Sequence, residues 1–316
     1  MNNKILVTGA TGFVGTRLCE QAVVMGKSVR RVLREVGGVD DVVIGELGPD
    51  NDWLTALRGV DAVVHLAARV HVINDMVSDP LGEFRRVNVA GTLNLARQAA
   101  ASGVRRFVFV SSAKVNGEVT AANQFFTEQD KPAPQDAYAI SKWEAEQGLL
   151  QLAAETGMEV VIIRPPLVYG PGVKANFLAM MQWLMRGVPF PFASLNNRRS
   201  FVALDNLVDF ISLCIEHPAA ANEVFLVSDG EDLSTPELLQ RLGSALGVRA
   251  KILPVPLSFL RLGATLIGRS DLFQRLCGSL QVDIAKAHNL LGWSPPVTVA
   301  AALLQTAHHF REHQWQ

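Results

Sequence analysis

KILVTGATGFVG, residues 4–15, joins a short apolar run to a glycine-rich turn. Residues 4–8 are rich in β-forming side chains, and helical spacing begins at residue 13. Glycines in this context permit a tight turn and let the backbone approach a pyrophosphate at the positive end of a helix. The pattern therefore predicts a strand, a turn and a helix that bind a dinucleotide. The predicted contacts are Gly9, Thr11, Gly12, Phe13, Val14 and Gly15.

Apolar β-type runs alternate with helical patterns through the first half of the chain. Strands are predicted near 4–8, 28–33, 62–66, 107–111 and 160–164, and helices near 13–26, 50–58, 80–102 and 137–157. This alternation predicts an α/β protein of Rossmann type, in which helices cover both faces of a doubly wound parallel sheet and ligands bind at the carboxyl ends of the strands.

The pattern loosens after residue 164, where RPPLVYGPG, residues 164–172, introduces prolines and glycines. We therefore expect a dinucleotide-binding domain over residues 1–170, with segments that return near 201–228. A smaller substrate-binding region is expected from residues 171–200 and 229–316.

The end of the second predicted strand bears on the choice of cofactor. VRRVLR, residues 29–34, lacks the carboxylate that normally accepts the ribose hydroxyls, and Arg34 lies nearby. Since arginine suits a 2′-phosphate, NADP(H) is favoured modestly over NAD(H). The alternative, that these arginines are solvated edge residues, stays open. A third strand is expected to end over residues 42–47, where Glu46 and Leu47 would lie beside the adenine.

Two later strands end in small residues, which would let a cofactor pass close by. They are VVHLAA, residues 63–68, and FVFVSS, residues 107–112. His65 is expected to pack at a strand end and not to act as a catalyst, because alanines follow it and no acid partner is evident. The further residues expected to line the cofactor are Leu66, Ala67, Ala68, Val110 and Pro165.

YAISK, residues 138–142, contains one of only two tyrosines in the chain, and the other is Tyr169. Positions i and i+4 of a helix share a face, so the Tyr138 phenol and the Lys142 ammonium can point into one site. The positive charge would favour the phenolate, which makes the pair suitable for proton transfer. Taken alone, the pair would equally fit an ordinary half-exposed helix face.

Composition excludes several other functions. Of the 316 residues, 49% are apolar and 19% are charged, and the net charge of -1 provides no basic field for nucleic acid. The longest apolar stretch, residues 257–268, is short and contains Arg261, so no membrane span is expected. No signal peptide is expected either, and we expect a cytoplasmic location. Three widely spaced cysteines argue against a disulfide framework or a metal cluster.

Together, the glycine turn, Ser111-Ser112, the Tyr138 and Lys142 pair and residues 164–170 resemble the extended short-chain dehydrogenase/reductase superfamily, in its nucleotide-sugar epimerase and reductase branch. The resemblance runs over most of the chain and implies catalytic roles for Ser112, Tyr138 and Lys142. Tyr138 would exchange a proton with a sugar oxygen while the nicotinamide exchanges hydride with the attached carbon. Ser112 would hydrogen-bond the same oxygen, and Lys142 would hold the nicotinamide ribose and lower the pKa of Tyr138.

Several positions extend or depart from the family pattern. Asn88, in NVAGT at residues 88–92, corresponds to a helix asparagine expected on the cofactor side. Asn116 stands where the family commonly has tyrosine, which leaves its contacts open. Ala113 and Lys114 replace the Asp-Glu pair that supplies acid and base in 4,6-dehydratases, so dehydration is disfavoured. Epimerisation, ketoreduction and oxidation of a hydroxyl remain.

The resemblance also implies a substrate site. RRSFV, residues 198–202, is similar to the segment whose arginine clamps a nucleotide diphosphate, and Arg199 is the better match. A solvated charged turn is the alternative for Arg198 and Arg199, and Asp205 and Asp209 are expected to cap or solvate the next helix. The residues expected to bind substrate are Ser112, Ala113, Lys114, Asn176 and Arg199.

Four activities remain to be ranked. The pattern is most similar to reductases of the 4-keto group of UDP-2-acetamido-2,6-dideoxyhexos-4-uloses in surface-polysaccharide synthesis, followed by UDP-sugar 4-epimerases with tightly bound NAD. A hydroxysteroid or dihydroflavonol-type reductase ranks third. A non-catalytic NADP-sensing regulator is disfavoured because all three catalytic residues are present. The family also implies a homodimer formed through helices 88–102 and 137–155.

Overall fold

The structure is a computed structural model and describes residues 4–35, 37–38, 41–70, 79–259 and 277–313. Its strands are β1 (Lys4–Thr8), β2 (Ser28–Leu33), β3 (Val42–Val43), β4 (Ala62–His65), β5 (Arg106–Val110), β6 (Glu159–Arg164), β7 (Leu167–Tyr169), β8 (Phe201–Ala203) and β9 (Val224–Leu226). The main sheet is parallel, in the order β3-β2-β1-β4-β5-β6-β9, and β7 pairs with β8 in a small second sheet. The predicted Rossmann-type α/β fold is confirmed.

The helices are α1 (Phe13–Val24), α2 (Leu54–Leu57), α3 (Pro80–Phe84), α4 (Thr92–Ala101), α5 (Ala137–Thr156), α6 (Ala175–Met185), α7 (Leu204–Glu216), α8 (Thr235–Leu246), α9 (Ala285–Leu291) and α10 (Val299–His313). A π-helical segment, Arg85–Gly91, joins α3 to α4, and 3₁₀ turns occupy Ala113–Val115 and Pro218–Ala220. No helix in the described part of the chain is both long enough and apolar enough to cross a bilayer.

Each face of the main sheet is covered by its own set of helices. Alternate strand residues such as Val7, Val64 and Val161 pack with α1 and α7, whereas their neighbours, such as Leu6 and Val63, pack with α2, α4 and α5. Both faces of the strands are buried, which explains why the strand sequences read as nearly continuous apolar runs.

Two of the predicted elements differ from the structure. The third strand ends at Val43 and does not continue to Leu47, because Gly45 takes a left-handed backbone (φ 76) that ends the extended run. The helix predicted over 80–102 is interrupted by the π-helical segment, whose wider turn contains Asn88.

A third apolar core lies outside the main sheet. It is built by α6, α8 and α10 together with Phe190, Phe201 and Leu233. The predicted division into a dinucleotide-binding domain and a substrate-binding region is consistent with this arrangement and stays a prediction.

Arg106 is the largest buried charge at the amino end of the central strands. Its guanidinium lies 2.7 Å from the Glu159 carboxylate and donates to the carbonyls of Cys214 and His217, which satisfies the end of α7. The side chain is 1% exposed, so the charge depends on Glu159 for compensation. This contact ties α7 to the sheet edge opposite the predicted site.

Replacing Glu159 by alanine should lower the free energy of unfolding by about 1 to 3 kcal/mol, because it leaves the Arg106 charge buried; the partial exposure of Glu159 keeps the loss below that of a fully buried pair. Urea unfolding would measure it. Glu155→Ala, on the exposed end of α5, is the matched control and should change stability by less than about 0.5 kcal/mol. Equal losses in the two variants would contradict the role of Glu159.

Candidate active site

The predicted site residues lie at one edge of the sheet, where the parallel strands end. The turn at 9–12 follows β1, residues 66–68 follow β4, Ser112 follows β5 and Pro165 follows β6. Because β1 and β4 are neighbours in the sheet although β2 and β3 come between them in sequence, the strand order reverses at this point. Such a reversal opens a crevice in which ligands of this fold class bind.

The glycine turn is shaped by close backbone approaches. Gly9 has φ 67, and a Cβ there would lie 2.8 Å from the Ala67 nitrogen. A Cβ on Gly15 would lie 2.1 Å from the Gly9 oxygen, so the start of α1 can pack against the turn only with glycine at this position. These two glycines are required by the fold itself.

Gly12 is different, because its lack of a side chain is not required by packing. A Cβ at Gly12 would meet only the Gly9 oxygen, at 3.1 Å, and the residue is exposed. Gly12 also begins α1, where no side chain caps the helix and no acidic residue lies in the first turn. The positive end of α1 therefore lies beside an open turn, which fits the pyrophosphate of a dinucleotide.

A cavity of about 550 Å³ borders this turn. It is lined by Thr11, Gly12 and Phe13 on one side and by residues of α7 and α10 on the other. Ser112, Tyr138 and Lys142 are not among its lining residues, so this cavity is beside the crevice at the strand ends and is not the place where those side chains act.

Tyr138 is the second residue of α5 and is half-buried against the edge of the Phe84 ring, 6.3 Å between centroids. Burial raises the pKa of Tyr138 to about 12, and the Asp136 charge adds to the effect. One turn further along α5, Lys142 is buried with its ammonium 4.0 Å from the centroid of the Phe109 ring. Burial lowers the pKa of Lys142 to about 7, although the Glu146 carboxylate opposes this change.

Ser112 enters the site from the end of β5. Its hydroxyl caps the following 3₁₀ turn by accepting from the Lys114 backbone at 3.3 Å, and the Ala113 N–H donates to the Pro165 carbonyl at 2.9 Å. The Lys114 ammonium lies 2.6 Å from an Asp136 carboxylate oxygen, which joins the turn to the start of α5. The structure thus brings the segments of Ser112 and Tyr138 together.

His65 is fully buried at the end of β4. Its Nδ1 lies 2.7 Å from the Thr8 hydroxyl and its Nε2 lies 2.9 Å from the Thr92 hydroxyl, while its ring stacks near Phe109. Burial and the nearby Lys142 charge lower the pKa of His65 to about 3. The imidazole is therefore neutral at ordinary pH and ties β1, β4 and α4 together, in line with the packing role expected of it.

Asn88 lies in the π-helical segment and holds the loop after β4. It accepts from the Arg69 N–H at 2.8 Å and donates to the Arg69 carbonyl and to the Ser141 hydroxyl, each at 3.0 Å. Through these bonds it fixes residues 66–69 against α5. Asn88 was expected on the cofactor side. It would act there indirectly, because the loop that it holds carries Leu66, Ala67 and Ala68, the residues predicted to line the cofactor.

Asn116 belongs to a buried polar network behind the site. It accepts from Arg164 at 3.0 Å and donates to the Thr127 carbonyl at 2.8 Å. Arg164 also pairs with Glu146 at 2.5 Å, and all three side chains are buried. Asn116 therefore supports the end of β6. Its contacts, which the sequence left open, are with Arg164 and Thr127.

Both arginines of β2 have structural partners, and a third arginine follows the strand. Arg30 donates to the carbonyls of Ala56 and Arg58, and Arg31 pairs with both oxygens of Asp41 at 2.7 Å. The Arg31 guanidinium lowers the pKa of Asp41. Arg34 is exposed just past the strand.

Glu46 and Leu47 lie on an irregular segment beyond β3. The Glu46 side chain is exposed, and its carbonyl accepts from Asn51 at 3.1 Å. Leu47 packs on the core beside Gly91. A Cβ added to Gly91 would lie 2.9 Å from the Leu47 Cγ. The predicted strand through these residues is wrong, and a contact with adenine stays a prediction.

On the substrate side, Arg199 and Arg198 differ. Arg199 is half-buried, donates to the Gly278 carbonyl at 2.9 Å and has its pKa lowered by burial, with Glu118 opposing the change. Arg198 is exposed and pairs with Glu237 at 3.2 Å, as a solvated charged turn would. Asn176 is exposed in the first turn of α6.

Asp205 and Asp209 have partners that the sequence did not indicate. Asp205 lies in the first turn of α7 and pairs with Arg17 at 2.7 Å. Asp209 accepts from the Trp293 indole at 2.9 Å. The expectation that Asp209 merely caps or solvates α7 is wrong, because it fastens a distant segment to the helix.

The family described as the NAD dependent epimerase/dehydratase family matches residues 5–228. The chain belongs to this family. It is 48% identical over 315 residues to a UDP-glucose 4-epimerase of Vibrio cholerae, an alignment that covers 98% of this chain and 96% of that protein. It is 28% identical over 316 residues to a GDP-6-deoxy-D-mannose reductase of Pseudomonas aeruginosa, with 96% and 95% of the two chains covered.

Among solved structures, a UDP-glucose 4-epimerase of Thermotoga maritima with UDP-glucose superposes with a TM-score of 0.78 at 25% identity, covering 98% of this chain and 99% of that one. The predicted place of the chain in the epimerase and reductase branch of the extended short-chain dehydrogenase/reductase superfamily is confirmed, as is the prediction of an NAD(P)-dependent enzyme of that type. The roles assigned to individual residues stay predictions.

Three residues that organise the candidate site were not singled out from the sequence. Phe109 supports the Lys142 ammonium, Asp136 joins α5 to the turn after Ser112, and Glu146 pairs with Arg164. Asp136 carried a signal, because an Asp directly before a helical run is a preferred N-cap. The other two depend on contacts between distant strands and helices.

His65 should make stability depend on pH. The unfolded state binds a proton near pH 6.5 that the folded state refuses until about pH 3, so the free energy of unfolding should fall as the pH drops between these values, by up to about 1.4 kcal/mol per pH unit. Urea unfolding of wild type and His65→Gln across this window should show a smaller slope in the variant. His288→Gln, at an exposed histidine, should keep the wild-type slope. Parallel curves for wild type and His65→Gln would contradict the assignment.

Proposed function

We propose that this chain epimerises a UDP-linked hexose at C4 with an NAD(P) cofactor. The observation that supports this most strongly is the 48% identity to the Vibrio cholerae UDP-glucose 4-epimerase over nearly the whole of both chains. Support also comes from the place of the three proposed catalytic residues, since Ser112 follows β5, Tyr138 and Lys142 lie near the start of α5, and the Lys114–Asp136 contact joins these two segments.

Tyr138 would move the proton at the sugar O4. As the phenolate it would accept the O4 proton while hydride leaves C4, and as the phenol it would return that proton while hydride comes back to C4. In the unliganded protein burial raises the pKa of Tyr138, which favours the phenol. The expected lowering of the Tyr138 pKa by Lys142 is not found in the unliganded protein, where burial and Asp136 raise it, so Lys142 would favour the phenolate only against that shift. The Glu146 carboxylate favours the Lys142 ammonium. The bound nicotinamide would supply hydride transfer at C4.

Ser112 and the glycine turn would hold the reactants. The Ser112 hydroxyl accepts from the Lys114 backbone, which leaves its own hydrogen free to donate to O4. The exposed Gly12 and the uncapped start of α1 would receive the pyrophosphate. Gly9, Thr11, Phe13, Leu66, Ala67, Val110 and Pro165 would complete the cofactor contacts.

Arg199 would bind the diphosphate of the substrate. Its guanidinium is half-buried with a backbone carbonyl as acceptor, and a buried cation of this kind is stabilised by an anion that accepts in a bidentate manner. Asn176 and the turn residues Ala113 and Lys114 would contact the remainder of the nucleotide sugar. A UDP-linked substrate agrees with these positions.

The second candidate is reduction of a 4-keto sugar, which the sequence alone ranked first. Exposed Arg34 at the end of β2 supports a 2′-phosphate and hence NADPH, the cofactor that a reductase exchanges at each turnover. The similarity to a GDP-6-deoxy-D-mannose reductase is weaker than that to the epimerase. We therefore place reduction second. The assay described below also decides whether the cofactor is NADP(H) or NAD(H).

We also propose a homodimer in which α4 and α5 pack against their counterparts. These helices run side by side, and Arg85 of the adjoining π-helical segment pairs with Glu144 of α5 at 2.6 Å on an exposed face. A shallow cavity of about 430 Å³ on this face includes Arg86, Val89 and Leu93. The mix of charged and apolar residues fits an interface between two copies.

Purified protein incubated with UDP-glucose and no added cofactor should form UDP-galactose until equilibrium, because an epimerase regenerates its cofactor in each cycle. NAD or NADP released on denaturation would identify the cofactor. A reductase would instead consume added NADPH with a UDP-4-keto-6-deoxyhexose and leave UDP-glucose unchanged. Failure of both reactions, with folded protein, would contradict the proposal.

Tyr138→Phe should lower kcat by at least about a hundredfold, since it removes the proton and keeps the ring. Tyr169→Phe is the matched control, because the Tyr169 hydroxyl donates to Asp229 at 2.9 Å in a buried contact away from Tyr138. The control should lose about 1 to 2 kcal/mol of stability and keep its turnover. Normal turnover by Tyr138→Phe would refute the acid-base assignment.

A further inference from the structure

We propose that Lys114, Glu118 and Asp136 form a charge filter that selects an uncharged hexose and rejects a sugar with a carboxylate at C6. These three side chains together are called the charge filter. The inference rests on the proposed function and names the class of sugar for the same site.

The charge filter is a compact cluster of two acids around one base. The Lys114 ammonium lies 2.9 Å from Glu118 and 2.6 Å from Asp136. All three side chains are largely shielded, with 26%, 15% and 19% of their surface exposed. Two carboxylates face one ammonium, so the cluster carries formal negative charge in a place where water screens it poorly.

The charge filter borders the position of the sugar. Lys114 belongs to the turn that Ser112 caps, and Asp136 caps the helix of Tyr138 by accepting from the Ala139 N–H at 2.7 Å. The Asp136 charge acts on the Tyr138 phenol, whose pKa it helps to raise. Because Ser112 and Tyr138 are proposed to address O4, we place the carboxylates beside the edge of the sugar that carries C5 and C6.

The other side of the site has the opposite charge. Arg199 is half-buried and donates to the Gly278 carbonyl, and the nearby Glu118 charge opposes the lowering of the Arg199 pKa by burial. An anion is thus favoured at Arg199 and disfavoured at the charge filter. A nucleoside diphosphate joined to a neutral hexose matches this arrangement, whereas a uronic acid would set a third carboxylate against Glu118 and Asp136.

An opposite role for Lys114 would be direct binding of a C6 carboxylate. The ammonium is already held by two carboxylates at hydrogen-bonding distance, so a sugar acid would have to displace one of them into a shielded place without its counterion. This exchange is unfavourable, and like charges brought together in a binding site discriminate against the wrong partner.

Competitive binding of UDP, UDP-glucose and UDP-glucuronate to the holoenzyme tests the proposal, because the two sugars differ only at C6. Wild type should bind UDP-glucuronate at least about tenfold more weakly than UDP-glucose. Glu118→Gln and Asp136→Asn should each reduce this ratio severalfold, and asparagine preserves the cap of α5. Glu231→Gln, which removes an exposed carboxylate paired with Arg241, should leave the ratio unchanged.

The outcomes separate the filter from the proposed function. If the enzyme binds UDP but binds UDP-glucose and UDP-glucuronate with equal affinity, the charge filter alone is overturned. The same holds if Glu231→Gln changes the affinity ratio as much as Glu118→Gln and Asp136→Asn do. Absence of UDP binding would contradict the proposed function and the filter with it.

Discussion

The Asp136 carboxylate connects the two halves of the candidate site. One oxygen accepts from the Ala139 N–H and starts α5, and the other lies 2.6 Å from the Lys114 ammonium, on the turn that Ser112 caps. This contact joins the helix that carries the phenol to the strand end that carries the hydroxyl, and the buried Glu146, Arg164 and Asn116 contacts support the same junction. The same side chain therefore caps the start of the helix and ties it to the turn after β5.

Several ionisable side chains are buried around this junction, and each of the three named next has a specific neighbour. Lys142 lies over Phe109, Arg164 pairs with Glu146, and His65 stays neutral between two threonine hydroxyls. Removing charged groups from water is costly unless they are paired or neutral. Lys142 is the least compensated of them, which is why burial lowers its pKa, and an unevenly compensated group beside a crevice is typical of functional sites.

The sequence predicted the sheet well because its evidence is local. Apolar runs such as 4–8 and 160–164 are buried on both faces, and glycines at fixed intervals mark the cofactor turn. It failed where the outcome depends on distant contacts. Leu47 looked like a strand residue but is held beside Gly91, and Asn116 had no visible purpose until Arg164 and Thr127 were beside it.

Epimerase and reductase share the same proton-transfer residues, so those residues do not distinguish the two reactions. The two reactions differ in whether the cofactor stays bound and in whether the keto sugar can rotate within the site to present its other face. The first depends on the strand ends, where Arg34 is exposed and Arg31 occupies Asp41. The second depends on the walls around the sugar, which in the proposed site include Lys114 and Glu118, with the diphosphate at Arg199. A sugar anchored only through its diphosphate would be free to present either face to the nicotinamide, as the proposed epimerisation requires.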